Sequence, residues 1–159
     1  MNNMKALITI LLYQFFVFNT GSGQDIERSL NLVIVIDQNV VIGELSKIQL
    51  RFGDIILPAS YEPGNLSFLH TNEVAPDVSL SPVILSFYYN TYNSRGLIQS
   101  YYYEIPLERV WLERSFMVLR VYNTNRKLYK KIYTPLKGLN YTFELDLPTG
   151  SINRVRKIS

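Results

Sequence analysis

Cysteine is absent from this chain of 159 residues. Its absence excludes a disulfide framework, thiolate zinc sites, iron–sulfur clusters, a cysteine nucleophile and a lipobox-type lipid anchor. Histidine occurs once, as His70 in SFLHTNE. A metal cluster or a Ser/His/Asp triad would have to use that residue, and its surroundings carry no motif for either. The phosphate-loop, dinucleotide, nucleophile-elbow and H-E-x-x-H patterns are all missing. Past the N-terminus no apolar run reaches the roughly 18 residues of a membrane helix. Alanine is scarce while Asn, Ile, Lys and Tyr abound, which reads as codon usage and not as function.

The N-terminus is built differently from the rest. MNNMK carries one positive charge, and residues 6–18, ALITILLYQFFVF, are apolar except for Gln14. Small and polar NTGSG follows. That order is the plan of a secretory signal peptide. As a helix the apolar stretch would span about 20 Å, short of the ~30 Å hydrocarbon core. A cleaved signal over residues 1–23 is therefore expected in place of a membrane anchor. Cleavage near Gly23 leaves Gln24 or Asp25 first, although the boundary lacks an A-x-A site. The expected domain is 24–159, secreted or periplasmic. Without disulfides it must be held by its hydrophobic core. Absent cysteine also suits a bacterial exported protein.

Charge divides along the chain. Residues 24–84 hold three Lys/Arg against eight Asp/Glu, and residues 85–159 hold twelve against five. The halves are thus −5 and +7. Either they neutralise each other across one domain, or the basic half faces an anionic partner.

Alternation with period two dominates the mature chain. In SLNLVIVID, Leu30, Leu32, Ile34 and Ile36 share one face. KIQLRF turns Ile48, Leu50 and Phe52 inward. Residues 53–82, with four prolines, predict short extended pieces and turns. PVILSFYY and LIQSYYYEI flank NSRG, a hairpin signal in which Gly96 suits positive φ. PLERVWLERS reads either as the one helix expected, about two turns long, with Pro106 near its start and Leu107, Val110 and Trp111 on one face, or as a bent extended segment. SFMVLRVYN directs Met117, Leu119 and Val121 to a core, and YTFELDL does the same with Tyr141, Phe143 and Leu145. KLYKKIYTP reads as a lysine-rich edge strand. SINRVRKIS is a basic tail or short last strand. Seven to nine short strands separated by Gly, Pro and Asn turns predict an all-β sandwich, immunoglobulin-like or transthyretin-like in general shape.

Six tyrosines crowd residues 88–103. Strand parity divides them between two faces. One face belongs to the core; the other would present Tyr88 and Tyr92 with Tyr102, or with Tyr101 and Tyr103 after a one-residue slip. Such a row suits a glycan or a protein partner, since tyrosine combines a flat apolar face with a polar handle. It also suits plain cross-strand aromatic pairing. The second candidate surface is basic: Lys127, Lys130, Lys131, Arg154, Arg156 and Lys157, interleaved with Tyr129 and Tyr133. It is either a solubilising face or a site for an anionic envelope component. A net charge of +3 is too small to argue for nucleic acid.

Remaining candidates are thin. Glu144 and Asp146 lie two apart on one strand face, a spacing open to carboxylate hydrolysis but usual on a solvated strand. Glu73 and Asp77 match no calcium loop. LPTG at 147–150 lacks the remaining parts of a sortase signal. Asn65 and Asn140 begin glycosylation sequons that matter only in a eukaryotic secretory pathway. No cofactor, metal site or catalytic residue is expected. The sequence thus points to an exported, non-enzymatic binding or interaction module. The alternatives are an envelope or surface subunit joined by edge-strand addition, and a carboxylate-dependent hydrolase. Mass spectrometry of the exported chain should find residues 1 to about 23 missing; an intact N-terminus would refute cleavage.

Overall fold

The computed structural model describes residues 26–70 and 82–153. The expected signal segment, Glu73, Asp77, Arg154, Arg156 and Lys157 lie outside them. The described chain is mostly strand and forms two sheets. Strands β1 (Ile26–Leu30), β4 (Leu45–Phe52), β5 (Ile55–Glu62), β6 (Asn65–His70), β7 (Val83–Tyr92) and β8 (Ile98–Leu107) make a six-stranded sheet in the order β1-β6-β5-β4-β7-β8. Strands β2 (Leu32–Ile36), β3 (Asn39–Val40), β9 (Met117–Asn123), β10 (Tyr141–Leu147) and β11 (Gly150–Asn153) make a five-stranded sheet in the order β11-β10-β9-β2-β3. All neighbours are antiparallel except β2 and β9, which run parallel. Strands β4, β5 and β6 follow one another by hairpins, and β7 returns beside β4. That arrangement is a Greek key.

Alternate side chains from both sheets meet in one core. Leu50, Leu66, Leu85, Phe87, Ile105 and Leu107 enter from the six-stranded sheet, and Leu32, Ile34, Leu119, Val121, Phe143 and Leu145 enter from the other. The faces predicted for β4, β9 and β10 are those observed, with Ile48 only partly buried. Leu30, Leu32, Ile34 and Ile36 are all buried, but SLNLVIVID is not one strand. It breaks at Asn31, where the chain passes from one sheet to the other.

Three segments differ from the sequence expectation. Residues 55–70 form two full strands, because the prolines and glycines fall at hairpin ends or on outward positions. Phe52 pairs with Ile55 around Gly53 at φ 60°, and Glu62 pairs with Asn65 around Pro63 and Gly64, whose φ is 87°. Both are tight turns that need a glycine. Second, PLERVWLERS keeps Leu107 in β8 and winds only Arg109–Glu113 into a 3-10 turn. Trp111 plugs the sandwich end there, while Val110 stays exposed. Third, the supposed edge strand KLYKKIYTP is a helix, α1 (Lys127–Ile132). Tyr129 and Tyr133, four apart, both turn onto the outer face of the five-stranded sheet, a tertiary contact that overrides the alternation.

Tyrosine hydroxyls tie each sheet to the other's backbone. Tyr61 of β5 accepts the Ile34 N–H of β2 at 2.8 Å. Tyr141 of β10 accepts the Glu104 N–H of β8 at 2.8 Å and donates to the Glu104 carbonyl at 2.9 Å. Its ring meets Tyr103 edge-on at 4.8 Å. Tyr141→Phe keeps the ring and strands both Glu104 groups. It should cost about 1–3 kcal/mol in urea unfolding; a loss under about 0.5 kcal/mol would mean that solvent replaces the hydroxyl.

Candidate functional site

The β7–β8 hairpin is organised from its turn outward. Asn93 accepts the Arg95 and Leu97 amides on its side-chain oxygen at 2.9 and 3.0 Å. Gly96 takes φ 72°, the conformation expected of it. The register that follows pairs Phe87 with Tyr103, Tyr88 with Tyr102, Asn90 with Ser100 and Tyr92 with Ile98. It is the unslipped register. Phe87 and Tyr103 are buried, and Tyr89 and Tyr101 pack partly against the core. Tyr88, Tyr92 and Tyr102 therefore share the outward face.

These three do not form one continuous row. Tyr88 and Tyr102 contact each other at 5.0 Å between centroids, tilted by 43°. A bulge in β4 between Ser46 and Gln49 puts Lys47 at φ 50° and its ammonium 5.4 Å over the Tyr88 ring. On the other side the Tyr102 hydroxyl donates to Glu104 Oε1 at 2.9 Å, and Arg51 stands 3.8 Å from the same oxygen. Partial burial, then that carboxylate, raises the Tyr102 hydroxyl above its ordinary pKa. Toward the tip a polar rung intervenes: Ser100 donates to Asn90 at 2.6 Å and Asn90 to Ser46 at 2.9 Å. Tyr92 lies beyond it, roughly 13 Å along the strand from Tyr88 at ~3.3 Å per residue. Tyr92 is 73% exposed, Ile98 65% and Tyr102 47%. The face thus has an aromatic pair with charged rims and, past a polar rung, an apolar tip of Tyr92, Leu97 and Ile98.

The basic candidate surface resolves differently. Lys127, Lys130 and Lys131 are exposed on α1, and Lys130 and Lys131 sit at its C-terminal turn, where the helix dipole favours cations. The interleaved tyrosines do not share that surface. Tyr129 and Tyr133 are buried against Tyr122, with Tyr133 stacked on it at 4.4 Å. Arg126, just before the helix, holds Asp37 at 2.9 Å, and Asp37 also accepts the Asn123 amide at 2.9 Å. Burial pushes the Asp37 carboxyl up, against the pull of that amide and of Arg126. Asp37 and Gln38, both at positive φ, form the β2–β3 turn that brings this carboxylate to the helix.

Glu144 and Asp146 do share the outer face of β10, but only the Asp146 end of it reaches solvent. Glu144 is only 5% exposed beneath α1 and accepts the Tyr122 hydroxyl at 2.9 Å. Burial raises the Tyr122 hydroxyl pKa, and the bonds to Tyr133 and Glu144 add to it. Asp146 accepts Ser151 at 2.6 Å and Arg120 at 2.9 Å. The tyrosine cluster and its buried carboxylate were missed from the sequence. The usable signal was the i, i+4 pair Tyr129 and Tyr133.

Among the described residues no group of three or more His, Cys, Asp or Glu is placed to hold a metal ion, and no helix is long and apolar enough to cross a membrane. Set against known protein families, curated proteins and solved structures, the chain matches none of them.

The Asp146 contacts have a pH signature. The Ser151 hydroxyl, and after it Arg120, hold its carboxyl below the ordinary value against partial burial. A depressed folded-state pKa stabilises above the unfolded value of about 3.9 and loses that contribution as pH falls through the folded value. Asp146→Asn should cost about 1 kcal/mol in urea unfolding at neutral pH, and the cost should shrink steadily as the pH falls below the unfolded value; a cost that does not change with pH would contradict the assignment.

Proposed function

We propose that this chain is an exported, non-enzymatic binding module that holds a partner on the outer face of the β7–β8 hairpin. The secreted or periplasmic setting rests on the N-terminal sequence. The general shape, immunoglobulin-like or transthyretin-like, belongs to the same proposal, with the Greek key in its support. One observation carries the binding surface: Tyr92, Ile98 and Tyr102 are exposed on one face of a hairpin whose base, at Phe87 and Tyr103, is anchored in the core. Exposed aromatics on a rigid ribbon lose little entropy on binding. The tilted rings, the aliphatic tip and the charged rims of Lys47, Arg51 and Glu104 favour a protein partner over a flat-stacking glycan.

A second reading has its own support. Strand β8 ends the six-stranded sheet. Tyr141 occupies the outward backbone groups of Glu104. By ladder alternation Ser100 and Tyr102 point their groups the same way. Those positions have no backbone partner on that side among the described residues. A structural subunit of an envelope or surface assembly would use that edge for strand addition.

The mature chain is to be run in polysaccharide-loaded gels and cross-linked, through a photoreactive group replacing Tyr92, in native envelope fractions. Retardation or a discrete cross-linked species, weakened at least about tenfold by Tyr88→Ala with Tyr102→Ala, supports the hairpin face. Oligomers abolished by Ser100→Pro but not by the tyrosine changes favour the edge. A monomer that shows neither retardation nor cross-linking refutes both.

A further inference from the structure

A cavity of about 250 Å³ opens at one end of the sandwich, away from the hairpin tip. Its floor is apolar: Leu30 of β1, Phe52 at the close of β4, Phe68 of β6 and Leu112 of the 3-10 turn. Phe52 and Phe68 contact each other at 6.4 Å, tilted by 39°. Arg28 and Arg109 line the same cavity, with Glu113 beside them. Arg28 pairs in register with Phe68, two residues before Leu30, so it stands on the core-facing side of an edge strand. Neither arginine has an ion-pair partner among the described residues. Two arginines against one glutamate leave the mouth with a net charge of +1.

We propose that this cavity binds a small monoanionic amphiphile, a carboxylate with an apolar body, its head between Arg28 and Arg109 and its body on Phe52 and Phe68. Size, polarity and charge agree on that class. A cavity of roughly 150 Å³ accommodates benzene, so this one admits a single ring or a short acyl chain with its head group. The planar guanidinium fork matches a carboxylate, and one negative charge cancels the +1 of the mouth. A cation would be repelled, and a neutral chain would leave both guanidinium groups unused. The competing role for Arg28 is purely protective, since an inward charge on an edge strand discourages pairing with another sheet. That role predicts no ligand.

Octanoate is the probe, titrated into isotopically labelled mature chain and followed by amide NMR shifts. The expected result is saturable binding with a dissociation constant of about 1 mM or tighter, with shifts centred on Arg28, Leu30, Arg109 and Leu112 and not on the hairpin tip. Arg28→Gln with Arg109→Gln, both at the solvent-facing mouth, should preserve the spectrum elsewhere and weaken octanoate at least about tenfold. Octan-1-ol should bind more weakly, and octyltrimethylammonium should not bind. The proposal is overturned by scattered or unsaturable shifts, by octanol binding as tightly as octanoate, by an unaffected double variant, or by binding seen only with vesicles of phosphatidylglycerol. None of these outcomes bears on the hairpin face.

Discussion

Burial of one face of the long strands in the central core is the constraint on which the rest of this structure depends. With no cysteine to cross-link it, the sandwich has only its interior and its hydrogen bonds to hold it together. Leu85, Phe87, Tyr103 and Ile105 commit the β7–β8 hairpin to one register, because a one-residue slip of β8 against β7 would turn both Tyr103 and Ile105 out of the core. The same parity obliges Tyr88, Tyr92 and Tyr102 to face outward. The proposed binding face is thus a by-product of core packing.

The two sheets treat their outer faces differently. On the five-stranded sheet, α1 lays Tyr129 and Tyr133 over Tyr122 and closes off Glu144, so that face becomes a small second core. Arg126 and Asp37 pin the start of the helix to the β2–β3 turn. Lys127, Lys130 and Lys131 stay exposed on α1. On the six-stranded sheet the hairpin has no such cover among the described residues. Its only organisation is lateral: Lys47 over Tyr88, Glu104 against Tyr102, and the Asn90–Ser100 rung. The contrast explains why aromatic residues of similar local sequence end as packing on one sheet and as surface on the other.

Besides Tyr103, which packs in the main core with Tyr89 and Tyr101 against it, tyrosine has three further roles in this fold. Tyr61 and Tyr141 span the interior and satisfy backbone groups of the facing sheet with their hydroxyls. Tyr122, Tyr129 and Tyr133 pack a secondary cluster. Tyr88, Tyr92 and Tyr102 remain outside. A side chain with a broad apolar ring and one polar atom at its end suits all three settings. Its abundance alone therefore said little about function.

Strands with a clean two-residue alternation were legible in the sequence: the inward faces of β4, β9 and β10, and the hairpin around NSRG. Local periodicity decides which side chains lie together, and Gly96 and Asn93 carry their turn within four residues. The sequence alone also determined the absence of thiol chemistry and of phosphate-loop motifs. What it left open depended on distant partners. The chain crosses between sheets at Asn31 because β1 pairs with β6 and β2 with β9, which lie far along the chain. KLYKKIYTP alternates like a strand, yet it winds into a helix because Tyr122 offers a place for two rings four residues apart. Glu144 reads as a solvated acid until that helix covers it. In the strands with clean alternation local spacing settled which side chains share a face; the packing of sheet, helix and edge decided which faces stay in water, and at KLYKKIYTP it decided the periodicity itself.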